Sequence, residues 1–159
     1  MAGTATPATT LLTKRRITFQ LHPYRVSPDT PDYGAAVAAT LGVAPEQVFK
    51  TLVAQVDGAL AVGVVPVTGE LDLKALAVAL GGKRAVLADR VLAERTTGYV
   101  RGGISPIGQR KRLPTVLDAS AQRYAEVYVS AGRRGLQLSI APDDLAAVAD
   151  ARFAPIATH

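Results

Sequence analysis

The sequence contains no cysteine and no tryptophan, only two histidines, and just eight Phe and Tyr residues in 159. The lack of cysteine removes disulfides, Cys-containing zinc sites and a thiol nucleophile together. Any thiol chemistry must be brought by a substrate. His22 and His159 stand alone, without an HExxH pair or a carboxylate–histidine spacing, so no metal site is expected. A Ser-His-Asp triad would have to use His22, whose setting beside Pro23 and Tyr24 at a strand end reads as structural. With so few aromatics, an extended base-stacking platform is also unsupported. No apolar run reaches the roughly 18 residues of a membrane span, and the Thr/Ala-rich start lacks a basic region followed by an apolar one. A cytoplasmic protein with no membrane partner is the expectation.

The residues present describe a chain that folds. Of the 159 residues 48% are hydrophobic and 19% charged, which suits one domain spanning 1–159 with a core of its own. A net charge of +5 favours polyanionic partners, and its distribution is uneven. Arg101, Arg110, Lys111 and Arg112 fall in an acid-free stretch, and Arg133-Arg134 lie in another. These are either a solvated loop surface or contacts to phosphate.

Local patterns place the elements. Thr6-Pro7 opens a helix running through Leu11 and Leu12 to about Arg16, and residues 18–24 alternate as a strand. Asp32 is expected to cap a second helix that Gly42 ends. Two apolar runs, 48–56 and 59–67, flank Asp57-Gly58 as a hairpin. Asp72 opens a helix closed by Gly81-Gly82, a strand covers about 84–87, and another helix runs from Asp89 to about Arg95. Residues 97–114 hold four glycines and two prolines, an irregular stretch of a length uncommon without function. A strand at 115–117, a pair at 126–130 and 135–140, and a helix at 142–150 complete the chain. Strands and helices mix without regular alternation, which predicts an α+β domain around a largely antiparallel, partly closed sheet surrounded by helices.

Lys50 is the most informative residue. On a strand it shares a face with Val48, Leu52, Ala54 and Val56, all apolar, so its ammonium must reach water, find an anion, or serve a function. Protection of an edge strand is the structural alternative. Gly103 and Gly108 have P-loop spacing, but Gln109-Arg110 stands where Lys and Ser/Thr should follow, which excludes an NTPase. Glycines at 102 and 103 can instead bring backbone N–H groups to a carbonyl or oxyanion. Asp143 and Asp144 sit at a helix start, where the dipole accounts for them.

Five segments in order then carry a resemblance: Val48 to Leu52, Gly69 to Lys74, Thr97 to Tyr99, Gly102 to Thr115, and Tyr128 to Leu136. Over roughly Thr6 to Ala154 the chain resembles the YbaK family of aminoacyl-tRNA deacylases, related to the editing insertion of bacterial prolyl-tRNA synthetase. The resemblance implies hydrolysis of cysteine mischarged on tRNA(Pro), since a synthetase pocket rejects so similar a side chain imperfectly. It also implies mischarged tRNA(Pro) and prolyl-tRNA synthetase as partners, and no cofactor. The free termini suggest an enzyme acting in trans.

Carried across by residue, the family's required lysine is Lys50, with Thr51 beside it and Gly102 holding the substrate carbonyl. Tyr24, Tyr33, Gly103, Ser105, Pro106, Ser130 and Gln137 would shape the substrate pocket. Tyr33 stands where Phe is more usual, and Gln137 where family members carry Asp, which removes a charge. Arg110, Lys111 and Arg112 are the candidates for tRNA phosphates. The cysteine thiol would attack its own ester, a reaction that needs orientation more than a protein nucleophile. The rivals are a deacylase for another mischarged tRNA such as Ala-tRNA(Pro), a small-molecule esterase, and a non-catalytic module binding tRNA or a synthetase.

Overall fold

The computed structural model describes residues 4–158, so His159 lies outside the described residues. Helix α1 (Pro7–Lys14) starts at a reciprocal capping box between Thr6 and Thr9, and Thr6 Oγ1 also donates to Ala131 O. Strand β1 (Gln20–Pro23) and helix α2 (Tyr33–Leu41) follow. Gly42 ends α2 in the left-handed region at φ 70°, with its N–H on Ala39 O. Asp32 does not cap as expected. It occupies the N-cap position at φ 50° and ψ 60°, a conformation from which its side chain makes no cap bond.

Strands β2 (Phe49–Val56) and β3 (Ala59–Pro66) form the expected hairpin. Asp57 and Gly58 both take positive φ, 50° and 87°, as the tight turn of twisted strands requires. The Asp57 carboxylate also accepts from the N–H groups of Lys83 and Arg84 at 3.0 and 2.9 Å, seating the next edge strand. The chain continues through β4 (Glu70–Leu71), α3 (Leu73–Ala79), β5 (Ala85–Leu87) and α4 (Arg90–Thr97). After the glycine-rich stretch come β6 (Thr115–Asp118), β7 (Val127–Arg133), β8 (Leu136–Ile140), α5 (Pro142–Ala149), β9 (Ala151–Ala154) and β10 (Ala157–Thr158).

The mixed α+β class is borne out, and the pairing is largely antiparallel. The main sheet has the order β5-β2-β3-β6-β9, with parallel pairs only at β3-β6 and β6-β9. It is open rather than partly closed, because β5 and β9 remain its two edges. A second sheet, β1-β8-β7, is antiparallel, and β4 pairs with β10. A parallel bridge, Val48 to Tyr128, joins the first two sheets.

Strand alternation distributes the core. Val62 and Val64 of β3 pack with Val53, Leu117, Val129 and Leu138 between the sheets, while Ala61 and Val65 pack with Leu76 and Ile156 on the other face. Burial on both faces explains why β3 reads as a continuous apolar run. Each fully buried valine contributes about 1.5–3 kcal/mol. Asp118, at the end of β6, holds the C-terminal segment by accepting from Ile156 and Ala157 N–H at 2.9 and 3.0 Å.

Candidate functional site

The site forms where the two sheets part. Strand β5 pairs only with Ala54–Val56, so the edge of β2 from Phe49 to Val53 is not covered by β5. Val53 O faces that edge, accepting from Ala88 N at 2.9 Å, whereas Val48 O faces β3 and accepts from Val67 N. Successive residues of a strand point their backbone groups to opposite sides, so Thr51 presents its amide and carbonyl to the open edge, with the Lys50 and Thr51 side chains flanking it. Beside this edge lies a cleft of about 690 Å³, within the usual size range of ligand pockets.

The cleft brings together Lys50 and Thr51 of β2, Tyr33 at the start of α2, Gly102, Ser130 of β7 and Gln137 of β8. Six residues predicted from different parts of the chain thus share one concavity. Ser130 and Gln137 are register partners on the polar face of the second sheet, and a bulge follows Ser130. Ser130 Oγ accepts from Gly132 N at 3.1 Å, the bend that turns β7 away. Lys50 is 31% exposed and meets Glu70 Oε2 at 3.4 Å, so its ammonium finds both water and an anion.

Tyr24 is buried and does not line the cleft, but its hydroxyl meets that of Tyr33 at 2.9 Å. Burial and this contact push the Tyr33 hydroxyl above the usual tyrosine range, keeping it neutral. Among the described residues, Thr51 Oγ1 and Gln137 Oε1 are buried side-chain atoms without a hydrogen-bond partner.

Gly102 and Gly103 have distinct reasons to be glycine. Gly102 has φ 84°, and a Cβ there would lie 2.5 Å from Arg134 Nε. A Cβ on Gly103 would lie 2.7 Å from Arg133 Cα, so the loop packs directly on the β7–β8 turn backbone. Gly103 N–H bonds Val100 O at 2.9 Å. Gly103, Ser105 and Pro106 do not line the cleft. Ser105 is fully buried, and its Oγ accepts from Ile107 N within the loop.

Arg110, Lys111 and Arg112 are exposed and also lie off the cleft. The N–H groups of Arg110 and Lys111 bond Thr97 O and Thr96 O, strapping the loop to the end of α4. Arg112 reaches a separate groove that Arg152 also lines. His22 bonds Ser139 Oγ at 2.8 Å and does not enter the cleft.

Several lining residues escaped the sequence reading, including Asp32, Arg90, Glu94 and Arg101 as members of the cleft. Arg90 pairs with Glu94 at 3.5 Å, and Glu94 accepts from Arg101 N at 2.7 Å. That backbone hydrogen bond, assisted by Arg90, holds the Glu94 carboxyl below the usual range. An i,i+4 pair on a polar helix face resembles any solvated surface, so only the conjunction with Arg101 would have marked it. Among the described residues no His, Cys, Asp or Glu groups gather as a metal site, and no helix is long and apolar enough to cross a membrane.

Residues 27–148, which contain every cleft-lining residue, match the aminoacyl-tRNA editing domain. The chain belongs to this family. A curated relative of the editing domain, described as a candidate Cys-tRNA(Pro)/Cys-tRNA(Cys) deacylase, EbsC, from Enterococcus faecalis, is 44% identical over 125 residues, covering 77% of this chain and 76% of that one. Among solved structures, a candidate trans-editing enzyme for prolyl-tRNA synthetase superposes with a TM-score of 0.86 at 23% identity, covering 100% of this chain and 99% of the other. A hypothetical protein gives 0.84 at 24% identity, covering 96% of this chain and 100% of its own. At such identities these two likenesses speak to the fold, and the family rests on the domain match and the curated relative.

Proposed function

We propose that this editing domain hydrolyses cysteine from mischarged tRNA(Pro), acting in trans and through the substrate's own thiol. The observation that carries this reading is a cleft rich in orienting groups and without an activated protein nucleophile. Ser130 has no histidine beside it in the cleft, because His22 is engaged with Ser139 outside it. A cysteinyl ester supplies what the cleft does not. Its sulfur attacks the ester carbonyl carbon, an S–C bond forms, and the C–O bond to the terminal ribose breaks. The thiol gives up its proton as it attacks, the ribose oxygen leaves with the C–O electron pair and takes up a proton in exchange, and water later opens the thiolactone to free cysteine. Orientation can contribute about 7 kcal/mol or more to such an intramolecular step.

In this reading Lys50 anchors the terminal nucleotide or its phosphate and Gly102 N–H meets the developing oxyanion. Tyr33 closes one side, held by its contact with Tyr24. Thr51, Ser130 and Gln137 face the amino-acid end, while Gly103, Ser105 and Pro106 fix the loop from behind. Arg110, Lys111 and Arg112 contact tRNA phosphates outside the cleft, and a prolyl-tRNA synthetase is the partner that would hand over the tRNA in the cytoplasm. The relative's description as a candidate Cys-tRNA(Pro)/Cys-tRNA(Cys) deacylase supports the substrate. The test is a deacylation panel of tRNA(Pro) charged with cysteine, alanine, serine and proline. Preferential release of cysteine is expected; hydrolysis of the alanyl ester alone would assign the chain to a water-using deacylase.

A further inference from the structure

Two groups in the cleft wall are left without partners by the protein itself. Gln137 is 7% exposed, its Oε1 is buried and accepts no hydrogen bond, and Thr51 Oγ1 is likewise buried and unpartnered. They reach the cleft from different sheets, Thr51 from the open edge of β2 and Gln137 from β8. Neither carries a charge. Of the charged groups that line the cleft, Lys50 meets Glu70, and Glu94 takes Arg90 and the Arg101 N–H. Leaving a buried acceptor unsatisfied shifts an equilibrium by about 5- to 150-fold. A ligand that satisfies it gains that factor over one that does not.

The chemistry of the pair narrows the ligand. An amide oxygen accepts only, and a hydroxyl both accepts and donates, so the pair is completed by a neutral donor. Both groups are neutral, so an ammonium finds its countercharge at the cleft's carboxylates, Asp32 and Glu94, rather than at this pair. We propose that Gln137 and Thr51 form a selector for a hydrogen-bond donor on the β-carbon of the esterified amino acid. Serine, whose O–H is a stronger donor than a thiol, then binds at least as firmly as cysteine, and alanine, which leaves both groups unpaired, is turned away. The inference rests on the reading that the cleft takes an aminoacyl ester. It places discrimination against alanine in binding, and discrimination between cysteine and serine in the reaction.

The test uses the full chain and non-hydrolysable 3′-amide analogues of seryl-, cysteinyl- and alanyl-adenosine, with affinities measured by calorimetry. The alanyl analogue is expected to bind about tenfold or more weaker than the seryl one. Gln137→Leu and Thr51→Val should each narrow that ratio toward about twofold, whereas Thr51→Ser should preserve it. A general packing role would weaken all three analogues alike. Should Gln137→Leu fail to fold, the Thr51 pair of variants carries the comparison. Wild-type binding of the alanyl analogue within twofold of the seryl one overturns the proposal, as does undetectable seryl binding by an enzyme active on cysteinyl-tRNA. Hydrolysis of cysteinyl-tRNA, followed in parallel, separates the outcomes: its absence sinks the functional reading, and its presence with a flat ratio sinks the selector alone.

Discussion

Replacing Lys50 by alanine separates a structural lysine from a functional one. Its visible partner is Glu70 at 3.4 Å, and Glu70 is 81% exposed. An ion pair so open to water is worth at most about 1 kcal/mol, which corresponds to about 2–4 °C in melting temperature for a chain of this size. Alanine also fits the pleated strand without strain. A contact to the terminal nucleotide realised in the transition state should cost about 2 kcal/mol or more, a drop of about 30-fold in kcat/KM. Lys50→Ala should therefore remain folded by circular dichroism, melt within a few degrees of wild type, and deacylate at least about 30-fold more slowly. Glu70→Gln is the necessary control, since it removes the same ion pair and keeps the ammonium. It should retain activity. Activity of Lys50→Ala within about threefold of wild type, or a Glu70→Gln variant equally inactive, would refute the reasoning.

Replacing Arg110, Lys111 and Arg112 together should weaken tRNA binding and reduce its log-log salt slope by about one for each phosphate no longer neutralised, with little change in turnover at saturation. An unchanged slope would return these residues to a solvated surface. Gly103→Ala should destabilise the fold by about 1–3 kcal/mol, because the added Cβ would meet Arg133 Cα at 2.7 Å and the β7–β8 turn must move. Denaturant melts measure this, and a neutral result would show that the loop yields. Burial raises the hydroxyls of Tyr33 and Tyr99 above the usual range. Above pH about 10 the unfolded chain releases tyrosine protons that the folded chain retains, so stability is complete below that pH and falls as pH rises further. Tyr99→Phe should flatten this alkaline decline.

Elements specified by neighbouring residues were legible in the sequence. The β2–β3 hairpin announces itself through Asp57-Gly58 between apolar runs, and α1 through Thr6-Pro7. Strands β4, β9 and β10 leave no such trace, because these short runs carry no alternation of their own and their pairing is remote, as between Ala157 and Leu71. Asp32 reads as an N-cap from its place before a helix, and only the tertiary setting holds it in the left-handed region. Lys50 stood out as a cation on an apolar strand face, a local contrast. The unpartnered state of Thr51 and Gln137 was not legible, since it depends on which strands come together around them. Gly102 and Gly103 read in sequence as a backbone-exposing pair, and their close approach to Arg134 and Arg133 adds a packing reason that sequence spacing does not show.

The central claim is that the editing domain removes cysteine by way of its thiol, and single-turnover deacylation of cysteinyl-tRNA(Pro), with mass spectrometry of the released amino acid, tests it most directly. The expected result is a rate far above that of buffer alone, a transient cysteine thiolactone ahead of free cysteine, and an intact prolyl ester under the same conditions. A cysteinyl ester that decays no faster than in buffer, or that yields free cysteine at the rate of the seryl ester without thiolactone, would contradict it.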